Sequence, residues 1–139
     1  MFLVGFPLLV IPFALYNMLA FLLGIAWSQE LARFSMVSGE AWTLTPGEIL
    51  IAGSILLLFV EMLKSTRMST RTIVDHILST VLFMAMLIEF LLVKQAASGT
   101  FFLLLVISFV DVVGGFTITI RTAQRDISVD RVDNIATGA

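Results

Sequence analysis

Residues 101–120 read FFLLLVISFVDVVGGFTITI, a run of twenty residues with one formal charge, Asp111. A bilayer's hydrocarbon core is about 30 Å thick, and a helix needs about 20 mostly apolar residues to cross it. The run has that length and that character. At helical spacing Asp111 shares a face with Ser108, Gly114 and Gly115, while Phe109, Val110, Val112 and Val113 cover the other directions. Small residues let a neighbouring helix approach, and polar ones bond across to it. Asp111 is therefore expected to point into a helix bundle or into a partner.

Outward from this run, three more segments have the same character. Residues 2–27 carry no formal charge; residues 46–63 and 72–93 follow. The first is too long for the apolar region of a signal peptide, about 7–15 residues, and lacks a basic leader, so it reads as a retained helix. Pro7 and Pro12 are expected to kink its first half. The second opens on Thr45-Pro46-Gly47-Glu48: an N-cap threonine, a proline at the first helical position and a glutamate able to reach back. The short connection 94–100 makes spans three and four antiparallel neighbours. The expected fold is all-α: an integral membrane four-helix bundle in one domain, residues 1–126, followed by a flexible cytoplasmic tail, 127–139.

Composition agrees. Of the 139 residues 59% are hydrophobic and 13% charged, with mean hydropathy +1.06; a soluble domain carries about 25% charged residues. A net charge of −2 gives no electrostatic footprint for nucleic acid. The absence of cysteine excludes disulfides, iron–sulfur clusters and thiolate zinc sites, and one histidine leaves little scope for haem or imidazole metal centres. No cofactor is expected.

Basic residues set the orientation. Lys64, Arg67 and Arg71 lie between spans two and three, and Arg121, Arg125 and Arg131 lie in the tail; the opposite side holds only Arg33 and Lys94. Both termini are expected in the cytoplasm. The outer loop, 28–45, interleaves Leu31, Phe34, Met36, Val37, Trp42 and Leu44 with polar residues. It reads as a loop resting on the outer interface, where Trp27 and Trp42 fit an aromatic belt, or as a docking surface for another membrane subunit.

Polar residues within the spans are the candidate site, because charge in hydrocarbon must be neutralised, paired or hydrated. Asp111 is central in depth, Glu89 nearer the outside, Glu61 and Asp75 near the cytoplasmic ends. Together they suggest a proton or cation ladder; each also has a structural reading. Glu48 caps its own helix. Asp75 fits a capping box after Thr72. Glu61 pairs with Lys64 or bonds Ser65. Glu89 hydrogen-bonds as a neutral acid or reaches toward Lys94. His76 reads as an interfacial side chain and the seven methionines as packing residues. Candidate helix-packing positions are Gly114 and Gly115 in span four, Gly47 and Ser54 (on the Glu61 face) in span two, and Ala20 and Gly24, a small-xxx-small pair on one face with Asn17 and Phe21, in span one.

The stretches GEAWTLTPGEILI (39–51), LLFVEMLKSTR (57–67), IVDHILS (73–79), IEFLLV (88–93) and FVDVVGGFTITI (109–120) resemble a set of short four-span inner-membrane proteins of alphaproteobacteria, a family of unknown function. The resemblance implies a Gram-negative inner membrane and assigns no catalytic or binding residue. Two other small four-span families fit less well. Glutathione-metabolising membrane enzymes carry a Glu-Arg pair in the second helix, where Met62 follows Glu61; small multidrug transporters carry a glutamate in the first helix, which here has no acid.

Three functions follow from the sequence, in order. The first is a non-catalytic accessory, scaffold or assembly subunit of a larger inner-membrane complex, partnered by the bilayer and by other membrane subunits or itself. The second is an oligomeric proton or cation channel or transporter using Asp111 and Glu89. The third is an intramembrane enzyme, for which no serine–histidine, paired-aspartate or metal arrangement stands out.

Overall fold

The first helix begins only at Val10, although the apolar run begins at residue 2. A computed structural model describes residues 6–66, 70–136 and 138, so the expected start at residue 2 lies outside them. Helix α1 runs Val10–Met18 and continues as one wide π turn over Leu19–Leu23. It ends at Gly24, which takes φ 58, a left-handed cap that glycine adopts without steric cost. Pro12 lies in the first turn, where no N–H partner is required, so it starts the helix instead of kinking it. Pro7 precedes the helix, its carbonyl accepting from Val10 N–H at 3.2 Å.

A two-stranded antiparallel hairpin follows: β1, Ala32–Ser35, and β2, Ala41–Leu44. The expected irregular loop is thus a hairpin. Phe34 sits opposite Trp42, their rings stacked at 5.6 Å, and Val37 stands fully exposed at the tip. Helix α2, Pro46–Ser65, begins with the predicted capping box. Glu48 N–H donates to Thr45 Oγ1 at 3.3 Å, and Thr45 N–H donates back to Glu48 Oε2 at 2.8 Å. Helix α3 is Thr70–Leu92, a short 3₁₀ turn spans Lys94–Ala96, and helix α4 is Gly99–Ala136.

The chain is mostly helical, and three of its four helices, α2, α3 and α4, are long and apolar enough to cross a membrane. Helix α1 with its π turn, nine plus five residues, is only about 21 Å long. Its flanks complete the path along α2. The Phe6 carbonyl meets Lys64 at one end, and the Trp27 carbonyl meets the Gly47 N–H at the other. Those two α2 positions lie about 26 Å apart along the axis. Helix α4 is 38 residues, about 57 Å, well beyond a hydrocarbon core of about 30 Å. The tail expected to be flexible from residue 127 is its helical continuation through Ala136.

Helix α4 packs on α1, α2 and α3, and the α3–α4 pair is antiparallel as expected. The interior is layered. At the hairpin end Tyr16, Trp27, Phe90 and Phe101 pack ring on ring, Tyr16 on Trp27 at 4.4 Å and on Phe101 at 4.8 Å. In the middle lie Leu82, Met86, Leu104 and Leu105, all buried. The tail end is polar. The outer faces are the reverse of a soluble protein's: Leu22, Leu56, Phe59, Leu91 and Leu92 are all more than 60% exposed, while Glu61, Asp75 and Asp111 are at most 4% exposed.

Candidate functional site

At the tail end of the interior, α2, α3 and α4 bring ionisable side chains into one buried cluster. Its hub is Lys64. The ammonium donates to Glu61 Oε1 at 3.0 Å and Oε2 at 3.2 Å, lies 2.9 Å from Asp75 Oδ2, and donates to the Phe6 carbonyl at 2.9 Å. Glu61 Oε2 also accepts the Leu8 N–H at 3.1 Å. Four residues on, the Ser65 hydroxyl donates to the Glu61 backbone carbonyl, not to its carboxylate. Glu61 therefore pairs with Lys64, as one reading of the sequence held. The network also fastens the incoming chain, because residues 6 and 8 supply one carbonyl and one N–H that no helix satisfies.

Several readings change. Lys64, counted as a loop cation, is helical and bound within the protein. Asp75 is not a helix cap: α3 begins at Thr70, and one carboxylate oxygen, Oδ2, is paired with Lys64. The Thr72 side chain, like those of Arg67 and Arg71, lies outside the described residues. His76 is buried within the protein, with Nε2 2.7 Å from Thr119 Oγ1 and its ring beside Phe116. Gly115 makes room for it: a Cβ there would stand 2.6 Å from His76 Cε1.

Asp111 faces the bundle interior at 2% exposure. The Ser79 hydroxyl lies beside its carboxylate without closing a hydrogen bond, and Asp75 and Lys64 are near enough for their charges to act on it. Ser108, one turn before Asp111, is also buried. Among the described residues Asp75 Oδ1 and the hydroxyls of Ser79 and Ser108 have no hydrogen-bond partner.

Glu89 lies apart. Its Oε2 accepts from Asn17 Nδ2 at 3.3 Å, and its Oε1 is buried without a partner. On α3 the inward face runs Asp75, Ser79, Leu82, Met86, Glu89. The two apolar residues fall within the roughly 15 Å between Ser79 and Glu89. Leu104 and Leu105 make the matching apolar layer on α4. This apolar layer separates Glu89 from Asp111.

The packing positions divide in the same way. A Cβ on Gly47 would meet Thr100 Oγ1 at 2.5 Å, and one on Gly114 would run into Met62, so both mark close helix approach. Ala20 is half-buried against the core. A Cβ on Gly24, the helix cap, would meet nothing within 4 Å, and Phe21 is exposed, so of this face Ala20 alone packs against the core and Gly24 marks no close helix approach within the described residues. Ser54 is buried but donates to Leu50 of its own helix at 2.6 Å.

The sequence reading missed Tyr16, fully buried, whose hydroxyl donates to the Gln95 carbonyl at 2.8 Å and lies 2.6 Å from Ser98 Oγ. The signal was present: a lone tyrosine in an apolar span needs a partner for its hydroxyl.

No family model, no curated protein and no solved structure matches the chain.

Proposed function

We propose that the chain is a non-catalytic integral membrane protein that crosses the inner membrane four times, with both termini in the cytoplasm, and acts as an accessory, scaffold or assembly subunit of a larger membrane complex. One observation carries the reading. The acids Glu61, Asp75 and Asp111 are turned inward, the first two paired with Lys64, while large apolar side chains cover most of the outer faces of α2, α3 and of α4 up to Ile120. Helices in lipid satisfy their polar groups internally and meet one another through close packing. Among the described residues little lies beside the bilayer except the hairpin and the last turns of α4, so membrane-depth surface is what they offer a partner.

The alternative of a conduit through the acids is opposed by the apolar layer of Leu82, Met86, Leu104 and Leu105 between Glu89 and Asp111. Its remaining form is a path between subunits. A gentle-detergent pull-down of the tagged protein from its native membrane, with mass spectrometry and sizing, tests the proposal. A stoichiometric set of other membrane proteins is the expected result. A discrete homo-oligomer alone would overturn it and direct attention to flux measurements.

A further inference from the structure

Among the described residues the buried cluster does not balance. Glu61, Asp75 and Asp111 are all within 4% of full burial, and among the described residues the one ammonium that faces them is Lys64. That ammonium is committed to Glu61 and Asp75 on one side and to the Phe6 carbonyl on the other. His76 follows Asp75 in sequence, but its ring turns to Thr119 and Phe116 and not to the carboxylates. From α4 Asp111 is the ionisable group in the cluster, and none of the described α1 residues adds another. A carboxylate held so far from water is costly unless something neutralises it.

The orphaned polar atoms mark where that something belongs. Asp75 Oδ1, Ser79 Oγ and Ser108 Oγ are all buried and, among the described residues, unpartnered. Asp75 and Ser79 are one turn apart on α3, Ser108 and Asp111 one turn apart on α4, and Ser79 lies beside the Asp111 carboxylate. Buried polar atoms are almost always satisfied by a partner. Oxygen-only ligands, two of them neutral hydroxyls, suit a hard cation of single charge. A site for a more highly charged ion would need more carboxylates. Among the described residues no three His, Asp or Glu side chains are grouped to hold a metal ion.

We propose that Asp111, with Ser79, Ser108 and the free oxygen of Asp75, forms a closed site for one small monovalent cation, Na⁺ or a proton. It neutralises the carboxylate that Lys64 does not reach. The site binds and does not conduct, because the apolar layer closes it toward Glu89. It rests on the membrane reading of the chain but not on the accessory role.

The full-length protein in lipid nanodiscs tests this with two readouts: binding of radioactive Na⁺ by scintillation proximity, and infrared difference spectra of carboxyl C=O stretches between about pH 5 and about pH 9. Two results support the site. Either Na⁺ binds and protons displace it, or Na⁺ does not bind and a protonated carboxyl persists at neutral pH. In either case Asp111→Asn abolishes the signal. A Ser79→Ala/Ser108→Ala double variant keeps every charge and should weaken Na⁺ binding, or shift the carboxyl's titration, by about tenfold. The double variant decides the matter if Asp111→Asn does not give a monodisperse particle. Wild-type protein with neither bound Na⁺ nor a protonated carboxyl overturns the proposal, as does a signal unchanged in the double variant. Such a failure in a well-folded nanodisc sample removes the site alone; the pull-down decides the accessory role separately.

Discussion

Replacing Lys64 with methionine keeps the length of the side chain and removes its charge. The structure makes the consequence specific. Glu61 and Asp75 lose the one cation they share among the described residues, and the Phe6 carbonyl loses its donor. Removing one member of a buried ion pair costs about 3–5 kcal/mol, because the other charge is left uncompensated. The Lys64 side chain retains 18% of its surface, so the lower end, about 3 kcal/mol, is expected. An ordinary hydrogen bond between membrane helices averages about 0.6 kcal/mol, so stranded charge should dominate. The assay is reversible unfolding in mixed micelles titrated with dodecyl sulfate. A Lys64→Met/Glu61→Gln/Asp75→Asn triple variant should return to within about 1 kcal/mol of the wild type. No charge is then stranded, and the side-chain amide introduced at position 61 still offers an acceptor to the Leu8 N–H. A loss below about 0.5 kcal/mol in the single variant, the range of an exposed pair, would contradict the buried-charge argument.

Three further substitutions test the packing and the caps. Gly115→Ala should destabilise by about 1–3 kcal/mol in the same assay, because its methyl meets the His76 ring; His76→Ala in the same chain should relieve most of the clash. Tyr16→Phe should cost about 1 kcal/mol or more, since the Gln95 carbonyl and Ser98 hydroxyl lose a shared partner. Gly24→Ala should cost about 1–2 kcal/mol through its left-handed backbone alone, as the methyl would meet nothing.

The helices were legible where apolar runs were long and ended on strong signals. The capping box at Thr45 and Glu48 fixed the start of α2, and the short 94–100 link fixed the α3–α4 pairing. The first span was harder, because hydropathy counts residues and not hydrogen bonds: residues 7–9 are as apolar as α1 yet lie before its first turn. The hairpin was hidden by its brevity. Its strands have four residues each, and only the Phe34 and Trp42 pairing and the turn at Gly39 distinguish it from an irregular interfacial loop.

Among the site residues, period alone placed Asp111, Ser108, Gly114 and Gly115 on an inward face. It also grouped Glu61 with Gly47 and Ser54. What period could not supply was the partner across the bundle. Lys64 looked like a topogenic loop charge because it stands at the end of an apolar run. Its return to Glu61 and Asp75 depends on how α2 meets α3 and on where residues 6–8 cross. The layer between the acids was hidden for the same reason. Depth and face were read for each acid singly, and the apolar layer that separates two of them is visible only when α3 and α4 are set side by side.

Topology is where the four-span reading is most exposed to experiment, and the chain is suited to the test because it has no native cysteine. Single cysteines placed at Val37, Ala97, Thr66 and Ser128 would be probed in intact cells with a membrane-impermeant maleimide, before and after permeabilisation. Four spans with both termini inside predict that Val37→Cys and Ala97→Cys label at once, and that Thr66→Cys and Ser128→Cys label only after permeabilisation. Labelling of Ser128→Cys from the same side as Val37→Cys would contradict that topology.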